Sequence, residues 1–151
     1  MSGRAGGLEK ISKHFCNTLK SFFIQISKIF SVDETKRDFI STLGDYIDGI
    51  NLLIERNKQG VIVVKFNKHF FASYSEQITK KDEKFFLGAN ETEIDCDDED
   101  KTDIIEQIRE IRKIYGEADK KTKDVVWYYI AELNKIGKMY NTILNYEPKK
   151  R

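Results

Sequence analysis

At 151 residues the chain has the length of one ordinary domain, enough to bury about 68–70% of the surface an unfolded chain exposes. Hydrophobic residues make up 40% and aromatics 12%, which excludes a disordered tail despite 34% charged residues. The 26 basic and 25 acidic side chains nearly cancel, so the overall charge demands neither nucleic acid nor an acidic substrate.

Residues 8–30 form the clearest amphipathic pattern: Leu8, Ile11, Phe15, Leu19, Phe22, Phe23, Ile26, Ile29 and Phe30 recur mostly at steps of three and four. Lys10, Lys13, Lys20 and Lys28 fall largely on the other side, and within residues 1–30 the only acid is Glu9. Ser31 stands three residues before Glu34, the capping-box spacing in which hydroxyl and carboxylate each satisfy a free amide at a helix start. A second helix is therefore expected, with Phe39, Ile40, Leu43, Ile47, Ile50, Leu53 and Ile54 on its face and Gly60 as the residue that ends it.

Val61, Ile62, Val63 and Val64 are β-branched and locally read as strand. Phe66, Phe70, Tyr74 and Ile78 recur every four residues, however, so the expectation is a third helix over roughly 62–78 with a frayed or extended beginning. A short helical turn at 82–87 and a polar, acid-rich loop at 88–102 follow. Ile104, Ile105, Ile108, Ile111, Ile114 and Tyr115 mark the next helix, closed by Gly116. The last starts near residues 119–122 and carries Val126, Trp127, Ile130, Leu133, Ile136 and Tyr140 toward Pro148, which a helix interior cannot include.

No pattern supplies catalytic chemistry or a cofactor fingerprint: there is no serine elbow, Walker loop or dinucleotide motif. His14 and His69 have no Cys or His at ligand spacing, and no metal site is expected from them. Cys16 and Cys96 match no metal or redox spacing and read as buried thiols in a reducing compartment. Asp95, Asp97, Glu99, Asp103 and Glu106 occupy positions 1, 3, 5, 9 and 12 of an EF-hand frame, but Asp100 stands where the frame needs glycine. A solvated acidic loop is the expectation there, with a cation-responsive adaptor as an alternative. Trp127 is expected in the core rather than on a base-stacking surface. No apolar run approaches the roughly 20 residues that span a bilayer, and Lys and Ser interrupt the N-terminal apolar stretches where a secretory signal needs continuity. The expected location is intracellular.

Lys80-Lys81-Asp82-Glu83-Lys84-Phe85-Phe86-Leu87 and Lys121-Thr122-Lys123-Asp124-Val125-Val126-Trp127-Tyr128-Tyr129-Ile130-Ala131-Glu132-Leu133 resemble segments of small helical proteins encoded by large nucleocytoplasmic DNA viruses. The likeness spans roughly residues 35–145. It implies a viral protein of the host cytoplasm or the virion, and it transfers no catalytic residue.

These readings combine into an all-α, single-domain bundle of about five helices with an acidic loop, divided as a basic amphipathic helix at 1–32, a helical body at 33–146 and a basic tail at 147–151. The expected function is a non-enzymatic interaction or structural protein with a protein partner and no cofactor. The alternative is a membrane-surface or nucleic-acid accessory factor. Residues 8–30 would ordinarily cover their own core. They also allow a separable docking element, with Lys10, Lys13, Phe15, Lys20, Phe22, Phe23 and Lys28 as the candidate partner-binding residues.

Overall fold

Apolar spacing places the longest helix where it is expected. In a computed structural model that describes residues 3–68 and 118–145, with residues 76, 78, 80, 115 and 116, α1 runs over Gly3–Ile29. Its face of Phe15, Leu19, Phe22 and Ile26 is almost wholly removed from water. A 3-10 turn at Glu34–Lys36 leads into α2 (Arg37–Glu55), followed by α3 (Gly60–Phe66) and α4 (Lys120–Leu144). The fold is all-α, and the described residues contain no strand. The turn expected at 82–87, the acidic loop and nearly all of the helix expected at 104–115 lie outside the described residues, as do Cys96 and His69.

α1 is the common wall of the bundle, packed against α2, α3 and α4. Its N-terminal end meets the C-terminal end of α4, since Gly7 lies beside Ile143, while further along Phe22 stacks on Tyr129 with centroids 5.2 Å apart. The pair is therefore antiparallel. Phe15 meets Phe66 of α3 edge-on at 5.5 Å. The expected division at residue 32 is thus not a division of the core, because the aromatic face of α1 supplies much of it.

The ends of the helices depart from expectation in ways that local chemistry explains. Ser31 does not cap: its hydroxyl turns back to donate to the Lys28 carbonyl at 2.9 Å, and Asp33 two residues on accepts from the Thr35 amide at 3.0 Å and the Thr35 hydroxyl at 2.6 Å. Gly60 does not end α2 either. That role falls to Asn57, the residue with φ 55°, and the Lys58 amide reaches the Leu53 carbonyl while the Asn57 amide reaches Ile54, the paired bonds of a Schellman ending. Asparagine tolerates the left-handed conformation better than most residues.

Gly60 instead opens α3, where a Cβ would lie 2.9 Å from the Tyr140 hydroxyl oxygen. The valine run beyond it is helical from Gly60 onward, neither frayed nor extended, because Ile62, Val63 and Phe66 find cover on α1 and α4. Tertiary burial overrides β propensity here. Past Phe66, the buried Asn67 amide donates to the Gly137 carbonyl of α4 at 3.1 Å. α4 starts where expected, with Asp119 as its cap accepting from the Thr122 amide at 2.8 Å, and buried Trp127 donates through Nε1 to the Tyr115 hydroxyl at 2.9 Å.

Candidate binding groove

α2 and α3 rest chiefly on α1 rather than on one another, and the space left between them is a groove of about 360 Å³. Leu19 and Phe23, one turn apart on α1, make the floor. On α2 the residues Asp45, Tyr46, Gly49, Ile50 and Leu53 share one flank, and on α3 Val61, Ile62, Lys65 and Phe66 do the same. Among the described residues the lining is apolar except for Asp45 and Lys65, which stand on opposite walls. A volume of this size falls at the small end of the roughly 300–1,000 Å³ typical of ligand sites.

The spacing of the two walls is set by the turn that joins them. Gln59 is 2% exposed, and its Nε2 donates to Ser12 Oγ on α1 at 3.0 Å and to Asn57 Oδ1 at 3.2 Å. Ser12 in turn donates to the Glu9 carbonyl, and the Cys16 thiol points its proton at the Gln59 carbonyl at 3.7 Å. These bonds pin the α2–α3 connection to α1. Burial pushes the Cys16 thiol up to about 12, against the smaller opposing pull of the Lys20 ammonium, so the group is a neutral donor at physiological pH. Burial likewise raises the Tyr140 phenol at the start of α3.

The rims differ in charge. α2 carries Asp38, Asp45, Asp48 and Glu55 against Arg37. Asp38 stands two turns before Asp45 and Asp48 one turn after it, along the same exposed edge. The opposite wall has Lys65, with exposed Lys58 and Lys68 near its ends. Val61, which lines the groove, is itself half exposed and brings apolar surface up to the opening. Gly49 sits in the middle of α2 and has no atom within 4 Å of where a Cβ would be.

The residues expected to bind a partner are distributed differently. Phe15 and Phe22 are fully buried and Phe23 nearly so, packed against the protein's own helices. A folded chain therefore does not present these rings to a partner as a docking face, and only Phe23 touches the groove, from beneath. Lys10 and Lys28 are exposed on the far side of α1. Lys13 pairs with Glu9 at 3.0 Å, and Lys20 donates to Asn51 of α2 at 2.6 Å. The sequence reading missed the groove because its walls are ordinary helix flanks. α2 has two interior glycines, Gly44 and Gly49, and nothing in the sequence distinguishes the second, which lines the groove, from the first.

Among the described residues, no three His, Cys, Asp or Glu side chains gather as a metal site, and no helix is long and apolar enough to cross a membrane. No protein-family profile matches the chain, and neither the curated proteins nor the solved structures contain a significant match to it.

Proposed function

We propose that this chain is a non-enzymatic helical interaction protein that receives a protein partner's apolar side chains in the groove between α2 and α3. The observation that carries the reading is an apolar groove whose mouth is flanked by a mid-helix glycine. Glycine inside a helix costs about 0.5–1 kcal/mol relative to alanine. At Gly49, as at Gly44 on the same helix, no close neighbour requires that loss, and of the two it is Gly49 that lines the groove, where a side chain would enter the opening. Each large apolar side chain buried in the groove is worth about 1.5–3 kcal/mol, against which the ordering costs of association must be set.

A viral origin, in the host cytoplasm or virion, belongs to the same proposal and is supported by the likeness of residues 80–87 and 121–133. The membrane-surface or nucleic-acid reading of α1 has less behind it, since the rings that would enter a lipid surface are in the core and two of the four lysines are engaged within the protein.

The test is Gly49→Phe, which has open space to occupy and should leave the melting curve intact. Proteins captured from source cells by the native chain and lost with this variant place binding at the groove. Identical capture by both puts the binding surface elsewhere.

A further inference from the structure

We propose that a second cavity, on the flank of α4 beside Ile78, binds a nucleoside monophosphate, with Asn134 pairing to the edge of the base and Lys135 and Lys138 holding the phosphate. Ala131, Asn134, Lys135, Lys138, Met139 and Thr142 bring α4 to this cavity, which shares no lining residue with the groove between α2 and α3. Its volume is about 460 Å³, within the roughly 300–1,000 Å³ of small-molecule sites.

Asn134 is the residue that folding does not account for. It lies inside α4, is 4% exposed, and makes no hydrogen bond among the described residues, although its Oδ1 is fully withdrawn from water. A buried acceptor without a donor destabilises the fold, and asparagine forms helix less readily than leucine or methionine, so packing alone favours an apolar side chain here. The buried Asn67 amide, by contrast, has its partner in the Gly137 carbonyl. An asparagine amide free at both its oxygen and its nitrogen is complemented by a planar group that offers a donor and an acceptor side by side, as the edge of a nucleobase does. Ile78, Ala131 and Met139 supply apolar surface for the faces of such a ring, and the unbranched methionine adapts to its shape.

The two lysines define the other end of the ligand. Lys138 stands one turn after Asn134, an i, i+4 neighbour with Cβ atoms about 5–6 Å apart, and Lys135 is adjacent to it. Both are exposed, and neither has an ion-pair partner among the described residues. Thr142 donates its hydroxyl proton to the Lys138 carbonyl. Glu132, the acid nearest the lysines in sequence, does not line the cavity. Flexible stems let both ammonium groups close on one anion at the mouth, and phosphate is an acceptor that lysine binds as a point charge. A nucleoside alone leaves the lysines without a counter-charge, and inorganic phosphate alone leaves the Asn134 amide unpaired.

The experiment is calorimetric titration of the full chain at low ionic strength with AMP, UMP, their nucleosides and inorganic phosphate. At least one of the nucleotides should bind saturably with Kd below about 1 mM, and at least about tenfold more tightly than its nucleoside or inorganic phosphate. Asn134→Leu should abolish that binding while raising the melting temperature, because it removes an unpaired buried amide. Lys135→Gln with Lys138→Gln, at exposed positions, should leave the melting curve unchanged and weaken binding at least about tenfold. Absence of nucleotide binding in that range overturns the proposal, as does inorganic phosphate binding as tightly as the nucleotides. Nucleotide binding that survives Asn134→Leu, or a lower melting temperature for that variant, overturns the role given to the amide.

Discussion

Replacing Phe22 by alanine decides whether α1 is structure or appendage. Its ring is 0% exposed, lies near-parallel to Tyr129 of α4 at 5.2 Å and 18°, and neighbours Phe23 at 6.1 Å. Removing a buried phenylalanine to alanine costs about 3–5 kcal/mol through lost transfer energy and the cavity left behind. The stack on Tyr129 contributes a further ~0.5–1.5 kcal/mol beyond its area. Against a total stability of about 5–15 kcal/mol for a domain, the variant should be severely weakened but measurable. For a chain of this size each kcal/mol moves the melting midpoint by about 2–4 °C, so the two contributions together give an expected fall of about 7–26 °C. Circular dichroism during thermal and urea unfolding reads the change, and Tyr129→Leu alone and in combination isolates the ring pair as a coupling energy. A Phe22→Ala protein that melts within a degree or two of the native chain would refute the packing described here. It would also restore α1 as a detachable docking helix.

Gly60→Ala should destabilise by about 1–3 kcal/mol, because its methyl group would meet the Tyr140 oxygen at 2.9 Å, and should become neutral or favourable in a Tyr140→Phe background, where that oxygen is gone. Denaturant titration of the four proteins checks the reversal. Hydrogen bonds from Thr35 hold the Asp33 carboxyl below its usual range, and bonds from Thr122 do the same for Asp119. Both contributions are therefore fully present above the ordinary carboxylate range and lost as pH falls through the lowered values. Asp33→Asn with Asp119→Asn should flatten that part of the acid-stability profile, and an unchanged profile would count against both caps. Cys16 should resist a thiol reagent at neutral pH in a Cys96→Ser protein and react fully on unfolding, since its thiol is buried and pushed up to about 12. Prompt reaction in the native state would mean that the Gln59 turn opens readily.

Where a side chain's neighbours lie within a few residues, the sequence was sufficient. The three- and four-residue recurrence from Phe15 to Ile26 specified the buried face of α1. The same pattern placed Trp127 in the core and the start of α4 near residues 119–122, where Asp119 caps it by a bond from the Thr122 amide. Each depends on helix periodicity or on a contact three residues away. Ser31 and Gly60 were read by the same local rules and took other roles, since Asp33 offered a competing cap and Asn57 could adopt the left-handed turn. The valine run needed long-range information, because its β propensity was overridden by cover from α1 and α4. What only tertiary structure decided is which helices share α1 and which leave a gap. The groove exists because the Gln59 turn, bonded to Ser12 and Cys16 47 and 43 residues away in sequence, holds α2 and α3 apart on a common floor. Periodicity names the face each helix buries, but the distance between two helices resting on a third depends on contacts between residues far apart in the chain.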